Sequence, residues 1–192
     1  MIYMTIYDPS KFEIFITKMG NLVMRRYYLK LIEVADLNSN DKVIDFGSGT
    51  GYLAKQMTKK LTGNDSWISC VEISEKWNKV ARKKLRKFKR ADFFTGMITE
   101  LDMKESYYDK ITIHVVLHDI ATEYREAIMK SLVKRLKKNG RIIIREPINP
   151  SHGIPVDALK EYMKKANMKE ISGEVIKHRF LGSTYLGVFE KK

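Results

Sequence analysis

One cysteine, four prolines and no long apolar stretch mark what this 192-residue chain has little of. Cys70 can form no internal disulfide, and its place in the run from Trp67 to Ile73 reads as a small buried side chain rather than a reactive thiol. The one cysteine and four histidines show no ligand spacing, so no metal site is expected. No window approaches the ~18 consecutive apolar residues that cross a bilayer. The beginning of the sequence also shows no charged segment leading into the apolar core of a secretory signal. These absences point to a cytoplasmic chain with no transmembrane segment. With no repeat, low-complexity tract or linker, the chain is expected to build one core, and its 44% hydrophobic content is enough for one.

Acidic residues are outnumbered, 23 against 36 lysines and arginines, for a net charge of +13. Such an excess concentrates polyanions near the surface. The basic residues are spread over nearly every polar stretch, and they are densest in Lys76, Lys79, Arg82, Lys83, Lys84, Arg86, Lys87, Lys89 and Arg90. No acid interrupts that series, so it is a candidate face for RNA or for an anionic membrane. A plain solvated helix has the same look.

Hydrophobic periodicity gives the architecture. Phe12 to Val34 repeat at helical spacing with an interruption expected at Gly20-Asn21, so two helices precede the main fold. Lys42 to Phe46 is a strand that feeds a glycine loop, and a helix follows from Tyr52 to Thr62. Further strands are expected at 67–73, 92–95, 110–117 and 141–145, with helices at 75–87, 122–137 and 156–166. Asn139-Gly140 is read as the stop of the second of these helices. Two strands, 169–179 and 183–190, close the chain. The alternation implies an α/β fold with a mostly parallel sheet, helices on both faces and an antiparallel hairpin at one edge. Residues 1–40 are expected to form an N-terminal helical segment, a possible substrate lid, and residues 41–192 the main domain.

In such sheets ligands bind beyond the carboxyl ends of the strands. Gly47, Ser48, Gly49, Thr50 and Gly51 stand there, and a glycine-rich turn lets the backbone adopt positive φ and approach a ligand closely. Glu72, 21 residues after Gly51, ends the next strand. A carboxylate there can accept hydrogen bonds from the two hydroxyls of a ribose. This pairing fits a nicotinamide dinucleotide or S-adenosylmethionine. A dinucleotide loop wants a third glycine where Tyr52 stands and a helix start that cradles phosphate. S-adenosylmethionine brings a sulfonium and an ammonium group instead, and Asp45 just before the loop suits those charges.

The run Val43-Ile44-Asp45-Phe46-Gly47-Ser48-Gly49-Thr50-Gly51-Tyr52-Leu53 resembles the first motif of class I S-adenosylmethionine-dependent methyltransferases. Tyr108 to Ile111, Val116 to Asp119 and Leu136 to Ile144 are similar to later motifs of that family, in the same order. The resemblance covers residues 41–190 and is nearest the small-molecule and quinone branch. It implies a Rossmann-like seven-stranded sheet and S-adenosylmethionine as cofactor. Asp45 and residues 47–51 would hold the methionine end, Glu72 and Ile73 the ribose and adenine. Met97 falls where many members carry an aspartate for the adenine amine, which leaves adenine to backbone near Ile98 and apolar packing. His114 would face the cofactor, with a hydrogen-bonded core histidine as the other reading.

Methyl transfer from a sulfonium is an in-line displacement in which positioning alone can supply about 7 to 11 kcal/mol. A base is needed only if the acceptor arrives protonated. His118 is the candidate catalytic base, and the other reading is that His118 and Asp119 cap the helix near Thr122. Asp119, Glu146, His152 and Tyr7 are candidate substrate-side groups. The uncharged segment Met1 to Tyr7 could fold over the site. A small-molecule or lipid-like acceptor is the first expectation and RNA the alternative. The oligomeric state is left open.

Overall fold

The computed structural model describes residues 8–149, 151–178 and 182–192. Seven strands form one sheet in the order β3-β2-β1-β4-β5-β7-β6. β1 is Lys42–Phe46, β2 Trp67–Glu72, β3 Ala91–Thr95, β4 Tyr108–His114, β5 Leu136–Pro147, β6 Met168–His178 and β7 Gly182–Lys191. The helices are α1 (Lys11–Val23), α2 (Arg25–Ala35), α3 (Tyr52–Met57), α4 (Glu75–Leu85), α5 (Thr122–Arg135) and α6 (Val156–Lys165). The chain divides into two compact units, Met1–Leu101 and Asp102–Lys192.

In the first unit β2 pairs in parallel with β1 on one side and β3 on the other. β1 and β2 are buried along nearly their whole length, which is why they read as continuous apolar runs and not as alternating ones. Cys70 lies here, fully buried, and burial pushes its thiol well above the ordinary range. α1 starts at a capping box: the Ser10 hydroxyl accepts from the Glu13 amide at 3.2 Å, and the Glu13 carboxylate accepts from the Ser10 amide at 2.8 Å. α4 starts at Ser74, whose hydroxyl accepts from the Trp77 amide.

In the second unit β4 and β5 are parallel, while β5 with β7 and β7 with β6 are antiparallel. Ile142, Ile143 and Ile144 of β5 are fully buried. The parallel core and antiparallel edge are therefore as the alternation of elements implied.

Four boundaries differ from the sequence reading. The break between the first two helices falls at Met24 (φ −82°, ψ 5°), not at Gly20-Asn21, because the side chain of Asn21 is buried in contacts that keep the helix running through it. The helix after the glycine loop ends at Met57 and unwinds through turns such as Lys60 N–H to Met57 C=O. α5 ends at Arg135, and Leu136, fully buried, already begins β5. Asn139-Gly140 therefore lies inside the strand, with Asn139 left-handed (φ 62°) and the pairing register shifted opposite Tyr108 and Lys110. Lastly, β4 stops at His114 and does not reach Leu117. Val115 has φ 59°, a conformation that a β-branched side chain adopts only under strain, and residues 117–119 form a 3-10 turn.

Candidate active site

The first unit carries the glycine loop. Gly47, Gly49 and Gly51 all have positive φ (69°, 48° and 67°), so the chain doubles back after β1, and the Gly47 and Ser48 amides donate to the Val71 carbonyl. The demands on Gly51 and Gly49 differ. A Cβ on Gly51 would lie 2.9 Å from Ala81 Cα, Ala81 Cβ and Leu85 Cδ1, so this glycine lets α3 approach α4. A Cβ on Gly49 would meet nothing nearer than the Gly47 carbonyl oxygen at 3.9 Å, so the loop leaves open room there. Gly51→Ala is expected to destabilise the fold by roughly 2 kcal/mol from overpacking and left-handed strain. Thermal denaturation checks this, and an unchanged midpoint would contradict it.

Glu72, at the end of β2, is 8% exposed. Its Oε2 accepts from the Gly49 amide at 2.8 Å and its Oε1 from the Ser74 amide at 3.2 Å. Burial raises its pKa, and the amide donors pull back only part of that shift. The Glu72 carbonyl accepts from the Gly96 amide where β3 exits, next to Met97 and to Ile98, which is 1% exposed. Asp45, in β1, is 2% exposed. A buried carboxylate beside a loop with open room at Gly49 suits a small cationic ligand better than a pyrophosphate.

The N-terminal helices bind to this loop through contacts that no motif announced. Asn21 of α1 donates from Nδ2 to Thr50 Oγ1 at 2.7 Å, and its Oδ1 accepts from the Tyr28 hydroxyl at 2.7 Å. Lys84 reaches the same Thr50 hydroxyl at 3.3 Å and lies over the Tyr52 ring. Burial, with the charge of Lys18 second, lowers Lys84 to about 8. At the N-cap of α4, beyond β2, the Ser74 hydroxyl donates to Asp8 at 2.8 Å. Tyr7 and the rest of the expected lid segment lie outside the described residues.

The second unit carries a buried acid and a histidine. Glu146 of β5 has no exposed surface. Its Oε1 accepts from the amides of Val116 (2.8 Å) and Leu117 (2.7 Å). Its Oε2 faces the amide of His118 at 3.4 Å and the His118 ring Nδ1 at 2.8 Å. Because a carboxylate only accepts, this contact makes Nδ1 the protonated nitrogen of a neutral ring and leaves Nε2 as the basic one. Nε2 is 3.3 Å from the exposed Asp119 carboxylate. Burial of the ring opposes its charge, but the hydrogen bond and charge of Glu146, helped by Asp119, prevail and raise the His118 pKa. Neither residue caps α5, whose N-cap is Ala121 with no side-chain bond.

The remaining candidates are more scattered. His114 ends β4 opposite Arg145 of β5, and burial, then the Arg145 charge, lower it to about 3, so the ring stays neutral. His152 is exposed in the loop before α6. Glu146 was expected among groups that meet a substrate, and its complete burial gives it the amides and His118 instead.

The basic series is partly spent on structure. Lys76 pairs with Asp8 and Lys79 with Glu75. Arg82 donates to the Phe93 carbonyl over its ring, and Arg90 to Ser66 and the Leu61 carbonyl. With Lys84 on Thr50, five of the nine are engaged. Among the described residues no helix is long and apolar enough to cross a membrane, and no cluster of three or more His, Cys, Asp or Glu could hold a metal ion.

Comparison with known proteins follows the same line. Residues 37–192 match the family described as a methyltransferase domain. The ubiquinone/menaquinone biosynthesis C-methyltransferase UbiE of Proteus mirabilis is 25% identical over 144 residues, 73% of this chain and 56% of that protein. The chain thus spans little more than half the length of that relative. Among solved structures, the N-methyltransferase NodS of Bradyrhizobium japonicum with S-adenosyl-L-homocysteine superposes with a TM-score of 0.74 at 11% identity, covering 87% of this chain and 86% of the other. The [4+2]-cyclase SpnF gives 0.73 at 14%, covering 86% and 80%. These two likenesses show the fold, which evidently serves more than one chemistry.

Proposed function

The chain belongs to the class I S-adenosylmethionine-dependent methyltransferases, and from that premise we propose that it methylates a small, lipid-like ring acceptor bearing an ionisable group. When bound, S-adenosylmethionine supplies an electrophilic methyl group on a sulfonium. Asp45 and the backbone from Gly47 to Gly51 hold its methionine end, with the open room at Gly49 as the cradle. Glu72 takes the ribose hydroxyls, and Ile73, Met97 and Ile98 provide an apolar and backbone setting for adenine. On the acceptor side, His118 Nε2 would take the proton that the acceptor gives up. Glu146 keeps the ring in the tautomer that makes this possible. Asp119 and His152 are exposed polar groups of the same unit that can meet the acceptor. The N-terminal segment 1–40 is proposed as the part that covers the site and shields it from water.

The observation that carries the acceptor reading is the 2.8 Å contact between His118 Nδ1 and the wholly buried Glu146. An N-methyltransferase acting on a neutral amine needs no base, whereas a phenol, an enol or a ring carbon does. The UbiE relatives act, by name, as quinone-biosynthesis C-methyltransferases, and a ring of that kind suits a positioned imidazole. The test is incubation with methyl-labelled S-adenosylmethionine and a cell extract resolved into lipid, polar small-molecule and RNA pools. Label is expected in the lipid pool on ring-bearing molecules. Label chiefly in RNA, or on amines of polar metabolites, overturns the acceptor.

A further inference from the structure

α1 is amphipathic in an inverted sense. Phe12, Phe15, Ile16, Met19, Leu22 and Val23 are 50% to 80% exposed, while Asn21 is the buried residue of the helix. At about 100° per residue the six apolar side chains fall within an arc of about 120°. Asn21, which ties the helix to Thr50, lies roughly opposite. The apolar stripe therefore faces away from the body of its unit. A contiguous exposed patch of this size on a protein otherwise rich in charge marks an interaction surface.

The charges around the stripe select the partner. Lys11 and Lys18, both exposed, lie along one border of it, and exposed Arg25 and Arg26 follow Val23 after Met24. The acid on α1, Glu13, is turned to the Ser10 amide in the capping box. A second copy of this chain would bring the same lysines and another +13 against the first. An acyl-chain surface beneath anionic headgroups satisfies both the apolar arc and its cationic border. We propose that α1 is an interfacial helix that lies in the plane of an anionic membrane with this stripe immersed. The proposal is independent of which acceptor is methylated.

Vesicle flotation of the full chain tests it, with phosphatidylglycerol mixed into phosphatidylcholine in one arm and pure phosphatidylcholine in the other. Binding is expected in the first arm, weakened by added salt, and absent or much weaker in the second. The double variant Phe15→Ser, Ile16→Ser should lose at least roughly tenfold in partitioning. Its thermal midpoint should be unchanged, because both side chains are already more than half exposed. Lys11→Glu with Lys18→Glu should reduce binding to the anionic vesicles only. Absence of binding, equal binding by the serine variant, or equal binding to both vesicle types overturns the proposal. So does a lipid-free dimer in sedimentation that the serine variant converts to monomer.

Discussion

Glu146→Gln is expected to lower the methyl-transfer rate by about two to four decades while leaving S-adenosylmethionine affinity nearly unchanged. The argument is one of donors and acceptors. Glu146 Oε1 serves the Val116 and Leu117 amides, and a glutamine carbonyl can do the same. The glutamine NH2 then faces His118 Nδ1, where Oε2 stood at 2.8 Å. Nδ1 must become an acceptor, the proton moves to Nε2, and the basic lone pair is lost from the side where it is needed. Nitrogen NMR shifts of the His118 ring report the tautomer without any acceptor present. A variant that keeps both wild-type tautomer and wild-type rate would remove Glu146 from the mechanism. Glu146→Ala is the cruder change, since each buried amide left without a partner costs about 1 to 3 kcal/mol.

The pH dependence carries the same assignment. A base must be neutral to accept, and Glu146 and Asp119 raise the His118 pKa. Activity in the wild type is therefore lost as pH falls through a value above the ordinary 6.5 of histidine. In Glu146→Gln that acid limb should move to lower pH, because the charge that stabilised the imidazolium is gone.

Glu72→Ala is expected to weaken S-adenosylmethionine binding by about 3 kcal/mol, roughly two decades in Kd, for the loss of two hydrogen bonds to a charged acceptor. Isothermal titration measures it, and equal affinity of wild type and variant would refute the ribose assignment. The fold should survive, since Glu72 gives up two amide bonds but also the penalty of a buried charge. Burial raises the Glu72 pKa. The folded state thus holds the proton more tightly than the unfolded one. This group's contribution to stability is greatest below the unfolded pKa and is lost as pH rises through the folded one. Cofactor binding needs the carboxylate, so affinity runs the other way and falls as pH drops through the raised value.

The elements that carry the proposed donor-side residues were legible because they are local. Three glycines, Asp45 before them and Glu72 at the next strand end lie at spacings fixed by one strand, loop, helix and strand. The acceptor side was legible in residue type but not in arrangement. His118 was recognisable as a candidate base, yet Glu146 was placed with groups that touch a substrate. Its partners are the His118 ring and backbone amides; amides carry no signature in a sequence, and these converge where the chain leaves β4 through Val115 at positive φ. The link from Asn21 to Thr50 and Tyr28 was hidden for a related reason. Asn21 sat beside Gly20 in a pair read as a helix break, and only its buried amide explains why the helix continues to Val23. The basic series from Lys76 to Arg90 was read by density, and density does not reveal which cations are already occupied by carbonyls and rings.

Asn21 has one more implication. A helix of 13 residues with one buried side chain has little to lose by letting go of the loop. Its opening is a local event, far below the free energy of global unfolding that protects the buried strands. α1 is thus expected to exchange its amides as a separate unit of low protection. Its Asn21 amide latches it to the glycine loop at Thr50, so what settles on its outer face is expected to bias how firmly Thr50 is held.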